Sequence, residues 1–310
     1  MHGQARSILI GIVAVVCIGV VAAAVSYRRQ ITSYLTHWKG SPRGTVAYQY
    51  FPAEPAPLLR IAAAGDVGDS GKRITATGAA VAAIAAQSPY DVMMVLGDNV
   101  YPSGDPGGLA KTVFGPFGAV LDHGATLLAI VGNHDVKNGN GPRQMAALGM
   151  PGLWWARQFG DVLIVGLDSN QPDNAEQRTF LETTLSTTTA KWRIVALHHP
   201  PYSAGYQGSS KNVRAAFSPL FERYGVQLVL SGHDHDYQRS EPINGVTYVV
   251  SGAGAGTRRT GSASFTAVSF SWHHFVDITV FADHLVGRAV NQDQRVADEF
   301  VIDGQGGGPS

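Results

Sequence analysis

Between residues 58 and 302 this chain repeats one pattern, a short apolar run, often β-branched, that stops at polar residues able to hold a ligand. Residues 58–64 lead into Gly65 and Asp66, 92–96 into Gly97 and Asp98, and 127–131 into Gly132, Asn133, His134 and Asp135. Residues 162–167 lead into Asp168 and Ser169, and 193–197 into His198 and His199. Residues 227–230 lead into Ser231, Gly232, His233, Asp234 and His235, and 246–250 into Ser251. Runs this short and this apolar read as buried strands. Segments 73–86, 143–148, 175–185 and 213–224 read as helices between them. Strands alternating with helices predict an α/β layered domain whose functional groups gather at the carboxyl ends of the strands. After residue 275 strand follows strand, at 275–281, 285–291 and 296–302, which predicts a second sheet or an antiparallel extension.

With 45% hydrophobic and 15% charged residues, the chain of 310 buries a sizeable core and is not a disordered protein. The formal net charge is zero, which gives no reason to expect nucleic acid as a partner. The single cysteine, Cys17, lies in the N-terminal apolar run, so disulfides and thiolate metal sites are excluded from the main body. Residues 7–27 carry no charge and are long enough to cross a bilayer as a helix. A cleaved signal peptide is the rival reading, because Ala22, Ala23 and Ala24 offer a small-residue cleavage site. The apolar stretch exceeds the usual signal core and favours an uncleaved membrane anchor. Arg28 and Arg29 outnumber Arg6, a bias toward a cytoplasmic body that a long following domain can override. The chain thus divides into an anchor or signal segment (1–27), a linker (28–57), a main domain (58–302) and a Gly-rich disordered tail (303–310). The aromatics at 48–51 are candidates to dock on the domain.

The strand ends supply Asp66, Asp98, Tyr101, Asn133, His198, His233 and His235. Carboxylate, imidazole, amide oxygen and phenolate suit iron, zinc or manganese. One ion of ordinary coordination number does not use so many groups, whereas two ions sharing a carboxylate do. In extended chain His233 and His235 point to one face, so both imidazoles reach one centre. A pair of ions about 3.5–4 Å apart clamps the attacking and leaving oxygens of an in-line displacement at phosphorus.

In order, Gly65-Asp66-Val67-Gly68, Gly97-Asp98-Asn99-Val100-Tyr101, Gly132-Asn133-His134-Asp135, Val195-Ala196-Leu197-His198 and Gly232-His233-Asp234-His235 resemble the motifs of the calcineurin-like metallophosphoesterases. Tyr101, three residues after Asp98, and Gly68, where the wider superfamily has His, resemble the purple acid phosphatase branch in its small bacterial and mammalian form. The resemblance covers residues 60–256 and implies a four-layer α/β/β/α sandwich of two mixed sheets. It implies that Asp98 bridges two ions, with Asp66, Tyr101 and His235 completing one and Asn133, His198 and His233 the other. The first ion would be Fe(III) and the second Fe(II), Zn(II) or Mn(II). The implied reaction is hydrolysis of a small phosphate ester by in-line attack of a metal-bound hydroxide, chiefly as an acid-type phosphomonoesterase. Phosphodiester or nucleotide hydrolysis on the same site is the close variant, and a catalytically silent, membrane-tethered binding module is the non-enzymatic alternative. The branch is mostly secreted or lumenal, so the resemblance implies an extracytoplasmic body.

His134 is expected to face the phosphate or leaving group, with Asp135 available to orient it. His199 is expected to turn away or sit behind the ligands. Where similar bacterial and mammalian sequences carry a further His near the substrate, this chain has Gln207, which can hydrogen-bond phosphate but cannot act as an acid. Tyr237 and Arg239 are candidates for the rim, a solvated or ion-paired side chain being the equal reading of Arg239. Arg258 and Arg259 read as part of a solvated loop, with contact to a second phosphate the alternative, and Trp154 and Trp155 read as core or cleft wall. Asp168, Asp69 and Asp105 read as turn residues, and His273 and His274 as structural.

Overall fold

The computed structural model describes residues 44–51 and 55–304. The N-terminal apolar segment, its flanking arginines, Cys17, most of the linker and the last residues of the tail lie outside the described residues. Among those described, no helix is long and apolar enough to cross a membrane.

Strands β1 (Val46–Ala47), β2 (Leu59–Ala64), β3 (Val92–Val95) and β4 (Thr126–Ala129) belong to one sheet. A second sheet is built from β5 (Trp155–Phe159), β6 (Val162–Leu167), β7 (Trp192–Leu197), β8 (Leu228–Ser231), β9 (Tyr237–Ser240), β10 (Thr247–Ser251) and β11 (Thr266–Phe270). The chain then returns to the first sheet with β12 (His274–Val280), β13 (His284–Asn291) and β14 (Arg295–Asp303). The first sheet runs β1-β14-β13-β12-β2-β3-β4 and the second β11-β9-β10-β8-β7-β6-β5. Each sheet is mixed: in the first, the parallel strands β2-β3-β4 form one end and antiparallel strands the other, and in the second a parallel centre, β6-β7-β8-β10, is flanked by antiparallel strands. Of the two outcomes left open for the last three strands, the antiparallel extension holds: β12 pairs with β2, Val276 opposite Ala63.

Side chains two apart on a strand share a face, and this alternation assigns the layers. On β2, Leu59, Ile61 and Ala63 pack against Ile194, Leu228 and Leu230 of the facing sheet, while Ala62 and Ala64 face helices. On β7, Trp192, Ile194 and Ala196 face the first sheet, while Val195 and Leu197 face the other way. Helices α1 (Lys72–Ala85), α2 (Gly115–Asp122) and α3 (Asn140–Ala147) cover the first sheet. Helices α4 (Ala175–Thr187) and α5 (Lys211–Arg223) cover the second. The result is the four-layer α/β/β/α sandwich. Helix α2 has no counterpart in the sequence reading. It meets α1 so closely that a Cβ on Gly78 would lie 2.1 Å from the Pro116 carbonyl oxygen.

Part of the expected linker is docked. Val46 and Ala47 pair with β14, and the Tyr48 hydroxyl donates to Asp277 Oδ2 at 2.7 Å. Asp277 Oδ1 in turn holds the buried Arg60 guanidinium at 2.9 Å, and Arg288 lies 4.0 Å from the centre of the Phe51 ring. Residues 46–51 therefore cover an edge of the first sheet.

His274 gives the fold an acid limit. It is fully buried, its Nδ1 sits 2.8 Å from the Trp272 carbonyl, and its ring lies edge-on to Tyr237 and Phe270. Burial is the main cause that pushes its pKa down to about 4, against a weaker raising effect of the Trp272 bond. The unfolded chain therefore takes up this proton below about pH 6.5 while the folded chain resists it down to about pH 4. Urea midpoints of wild type should fall as pH drops through that window, and His274→Phe should flatten the fall.

Candidate metal centre

Parallel strands from both sheets deliver their carboxyl ends to one edge of the sandwich. Asp66 follows β2, Asp98 follows β3, Asn133 follows β4, His198 follows β7 and His233 follows β8. The two sheets are laced there by backbone bonds. Gly65 N donates to Ser251 O at 2.8 Å across the sheets, and Gly232 N to His198 O at 3.1 Å within the second.

The local backbone is strained where the donors sit. Asp66, Asp98 and His233 have positive φ (56°, 52° and 72°), a region that non-glycine residues avoid at a cost of about 1–2 kcal/mol each. Close packing leaves no room for alternatives. A Cβ on Gly132 would fall 2.1 Å from Asp98 Oδ1, and one on Gly232 would fall 2.7 Å from Asp66 Oδ2.

The donors form two groups. In the first, the Tyr101 hydroxyl lies 3.1 Å from Asp66 Oδ1 and 3.2 Å from His235 Nε2, and the last two atoms are 3.3 Å apart. In the second, His198 Nε2 lies 3.2 Å from Asn133 Oδ1 and 3.5 Å from Asp98 Oδ1, with the His233 ring centre 5.1 Å from that of His198. Ligands about 2.0–2.2 Å from a common ion sit about 3–3.5 Å from one another, so these spacings fit ion coordination. Asp98 lies between the groups: ligand atoms of Asp66, Asp98 and His198 are all within 4.8 Å of one another. His198 Nδ1 is 2.8 Å from the Leu96 carbonyl, which accepts its N–H and leaves Nε2 as a lone pair aimed into the cluster.

The electrostatics ask for a cation. Burial, above all, pushes Asp66 up to about 7 and Tyr101 well up, the Tyr101 shift reinforced by the charges of Asp66 and Asp98. Burial likewise drives His233 down to about 2 and His198 well below the usual imidazole value. His235 is desolvated too, but its bond to Asp66 outweighs that and raises it. The cluster is thus rich in lone pairs and buried negative charge, the donor set that suits metal ions.

Around it, His134 sends its backbone N–H to Asp98 Oδ1 at 2.9 Å and sets its ring edge-on to Tyr101, centres 4.7 Å apart. Its Nδ1 lies 2.8 Å from the Pro102 carbonyl and 3.0 Å from Lys137 Nζ. The expectation that Asp135 orients this imidazole is corrected. Asp135 points inward, fully buried, and accepts from Asn99 N and Nδ2, Val100 N, Gly132 N and Gln144 Nε2 at 2.9–3.2 Å. It ties the loop after β3 to the loop after β4, and burial followed by the Asp98 charge raises it to about 6. His199 sits behind the ligands: its Nδ1 is 2.8 Å from Ser169 Oγ and its ring packs 4.5 Å from that of His233.

Gln207 is exposed, on a loop whose backbone is bonded to Asp234. Tyr237 and Arg239 do not line the rim: the Tyr237 hydroxyl and the Arg239 Nε both reach Asp298 at 2.7 Å, joining the two sheets away from the cluster. Asp168 is a turn residue accepting from Asn170 N at 2.9 Å, Asp105 accepts from Gly107 N at 3.0 Å, and Trp155 is core with its indole donating to Ala129 O. Neither Lys137 nor Asp234 is given a role by the sequence alone. Both had a signal there, Lys137 one turn after His134 and Asp234 on the opposite face of extended chain from the two histidines.

Comparison with known proteins agrees with this geometry. Mouse (Mus musculus) tartrate-resistant acid phosphatase type 5 is 29% identical over 241 residues, 64% of this chain and 73% of that one. The first curated relatives align over only about a quarter of their own length. Among solved structures, GAP50, titled the anchor in the inner membrane complex of Plasmodium, superposes with a TM-score of 0.71 at 18% identity, over 80% of this chain and 89% of that one. The purple acid phosphatase PPD1 of yellow lupin (Lupinus luteus) superposes with a TM-score of 0.67 at 18% identity, over 81% of this chain and 55% of that one. These superpositions show the shared fold. The calcineurin-like phosphoesterase model matches residues 59–237. Because that match spans every donor from Asp66 to His235, the chain belongs to the calcineurin-like phosphoesterase family.

Proposed function

We propose that this protein is a dimetal hydrolase of small phosphate esters, foremost an acid-type phosphomonoesterase. The observation that carries the proposal is the convergence of Asp66, Tyr101 and His235 on one side of Asp98, and of Asn133 and His198 with the His233 ring on the other. Two metal ions, when bound, supply the positive charge that receives a phosphate ester and the activation of water for in-line attack.

The remaining steps belong to the chain. Asp66, Tyr101 and His235 would hold one ion and Asn133, His198 and His233 the other, with Asp98 shared. The phenolate and carboxylates suit Fe(III) in the first position, and Fe(II), Zn(II) or Mn(II) in the second. An iron–phenolate site is comfortable outside the reducing cytoplasm, and we place the protein there. His134, half-buried beside Tyr101 and fixed by the Pro102 carbonyl, is positioned to donate a hydrogen bond to a phosphate oxygen or the leaving group. Asp135 fixes the loop on which His134 rides. The intact donor set favours an enzyme over a catalytically silent, membrane-tethered binding module, although GAP50, called an anchor, has a similar fold.

Two measurements test this reading. Elemental analysis of the purified protein should find about two metals per chain, and Asp98→Asn should lose both. His233→Ala and His235→Ala should each lose a different metal, and Tyr101→Phe should abolish a visible phenolate–iron band; protein without metal overturns the reading. On p-nitrophenyl phosphate, His134→Ala should lower kcat about 10²–10⁴-fold with metal content unchanged, the range for loss of a positioned acid or hydrogen-bond donor. Asp135→Asn should be read by urea midpoint and kcat together, because its first effect is on the loops.

A further inference from the structure

Beside the metal centre the chain builds a second recognition element that the donor set does not use. Asp234 lies between His233 and His235 but points the other way, fully buried. Its carboxylate accepts from Gln207 N at 2.6 Å, from Gly208 N at 3.1 Å and from the Ser203 hydroxyl. The loop is pressed onto it so tightly that a Cβ on Gly205 would lie 2.6 Å from Asp234 Cγ. The peptide that carries two metal donors thus also fixes the 203–208 loop at the cleft.

At the tip of that loop Tyr206 is 48% exposed, a large ring left to solvent by a loop otherwise held by buried bonds. The Arg258 guanidinium lies over it, 5.2 Å from the ring centre. Arg258 comes from the turn after β10, which runs directly against the metal centre. Its backbone N donates to His235 O at 2.7 Å, and a Cβ on Gly256 would be 3.3 Å from His235 Nδ1. Its charge is felt at the His235 ring, where it opposes protonation. The ion pairs among the described residues do not include Arg258. An arginine laid on an aromatic ring loses rotamer freedom to the ring while its fork of N–H donors stays free for a carboxylate or phosphate.

We propose that Arg258, shelved on Tyr206, binds an anion carried by the leaving group, so that the preferred substrates are phosphate esters whose leaving group bears a second phosphate or a carboxylate. The proposal rests on the phosphoesterase reading above and adds the substrate class. Asp234 acts as a positioning residue by holding the shelf.

Glycerol 3-phosphate, 3-phosphoglycerate and glycerol bisphosphate provide leaving groups with no further anion, a carboxylate and a phosphate. Metal-loaded wild type should show kcat/KM at least tenfold higher for one of the anionic esters than for glycerol 3-phosphate, and the better of the two identifies the anion. Arg258→Met should bring that ratio close to one, Tyr206→Leu should lower it in part, and Lys137→Ala, a cation beside His134 and not on Tyr206, should keep it. Calorimetric Kd values for the corresponding phosphonates, which are not hydrolysed, should show the same collapse in Arg258→Met. A wild-type ratio near one, a ratio unmoved by Arg258→Met, or one lost only in Lys137→Ala overturns the shelf alone. A wild type with both metals bound that hydrolyses none of the three esters overturns the phosphoesterase reading and the shelf together.

Discussion

Two carboxylates share one dry place in this fold. Asp66 and Asp98 are buried, with ligand atoms within 4.8 Å of each other and of His198, at an edge where both sheets end. Like charges desolvated side by side are among the most unfavourable arrangements a protein can hold, unless donors or a cation compensate them. The chain supplies part of that compensation through its backbone. His233 N donates to Asp66 Oδ2 at 2.7 Å and His134 N to Asp98 Oδ1 at 2.9 Å. To aim those N–H groups, the chain accepts left-handed backbone at Asp66, Asp98 and His233 and close glycine contacts at Gly132 and Gly232. Strain of this kind persists only where the surroundings over-determine it. The surroundings here are the parallel strand ends, which explains why the donors follow β2, β3, β4, β7 and β8 immediately.

Acids that hold no metal serve the same edge differently. Asp135 gathers backbone N–H groups from the loops after β3 and β4, and Asp234 gathers them from the loop that carries Gln207. Loops at strand ends have no ladder to satisfy their N–H groups, and a buried carboxylate with several acceptor sites replaces it. Each of these acids is adjacent in sequence to a residue of the site, so each couples the donor geometry to a loop bordering the cleft. Replacement by a neutral isostere is therefore felt first as loop disorder and only through it as chemistry.

This is also where the sequence became hard to read. The strands and the gathering of the candidate donors were legible because most of those donors closely follow an apolar run, and such local order survives folding. Asp135 misled because adjacency to His134 says nothing about direction: its partners Asn99 and Gln144 are distant in sequence. Tyr237 misled for the same reason, and Arg239 takes its ion-paired reading, their shared partner Asp298 lying on β14 of the other sheet. The edge strands β5 and β11, and β9 next to β11, carry polar residues among the apolar ones, which hides their period. Helix α2 begins Gly115-Pro116 after an irregular turn, a composition that reads as loop. Residues 46–51 read as linker because their attachment runs through Arg60 and Asp277, a buried pair brought together by β2 and β12.

The shelf changes how the work of catalysis is divided. In the proposed reaction Gln207 offers no acid and Asp135 is committed to the loops, so His134 would be left to serve the leaving group. A site with few groups at the reacting bond gains most from binding energy taken elsewhere on the substrate, provided that energy is realised as the bond breaks. Arg258 is placed for that role. As the ester bond to phosphorus breaks, negative charge grows on the leaving group, and in the proposed arrangement it is met by the Arg258 guanidinium held on Tyr206, the backbone N of Arg258 being bonded to His235 O. A cation fixed in advance stabilises growing charge without reorganising, which a mobile lysine on the surface does less well. The rigidity of the Asp234 clamp is then part of the chemistry, because a loop free to move would spend the same energy on ordering Tyr206.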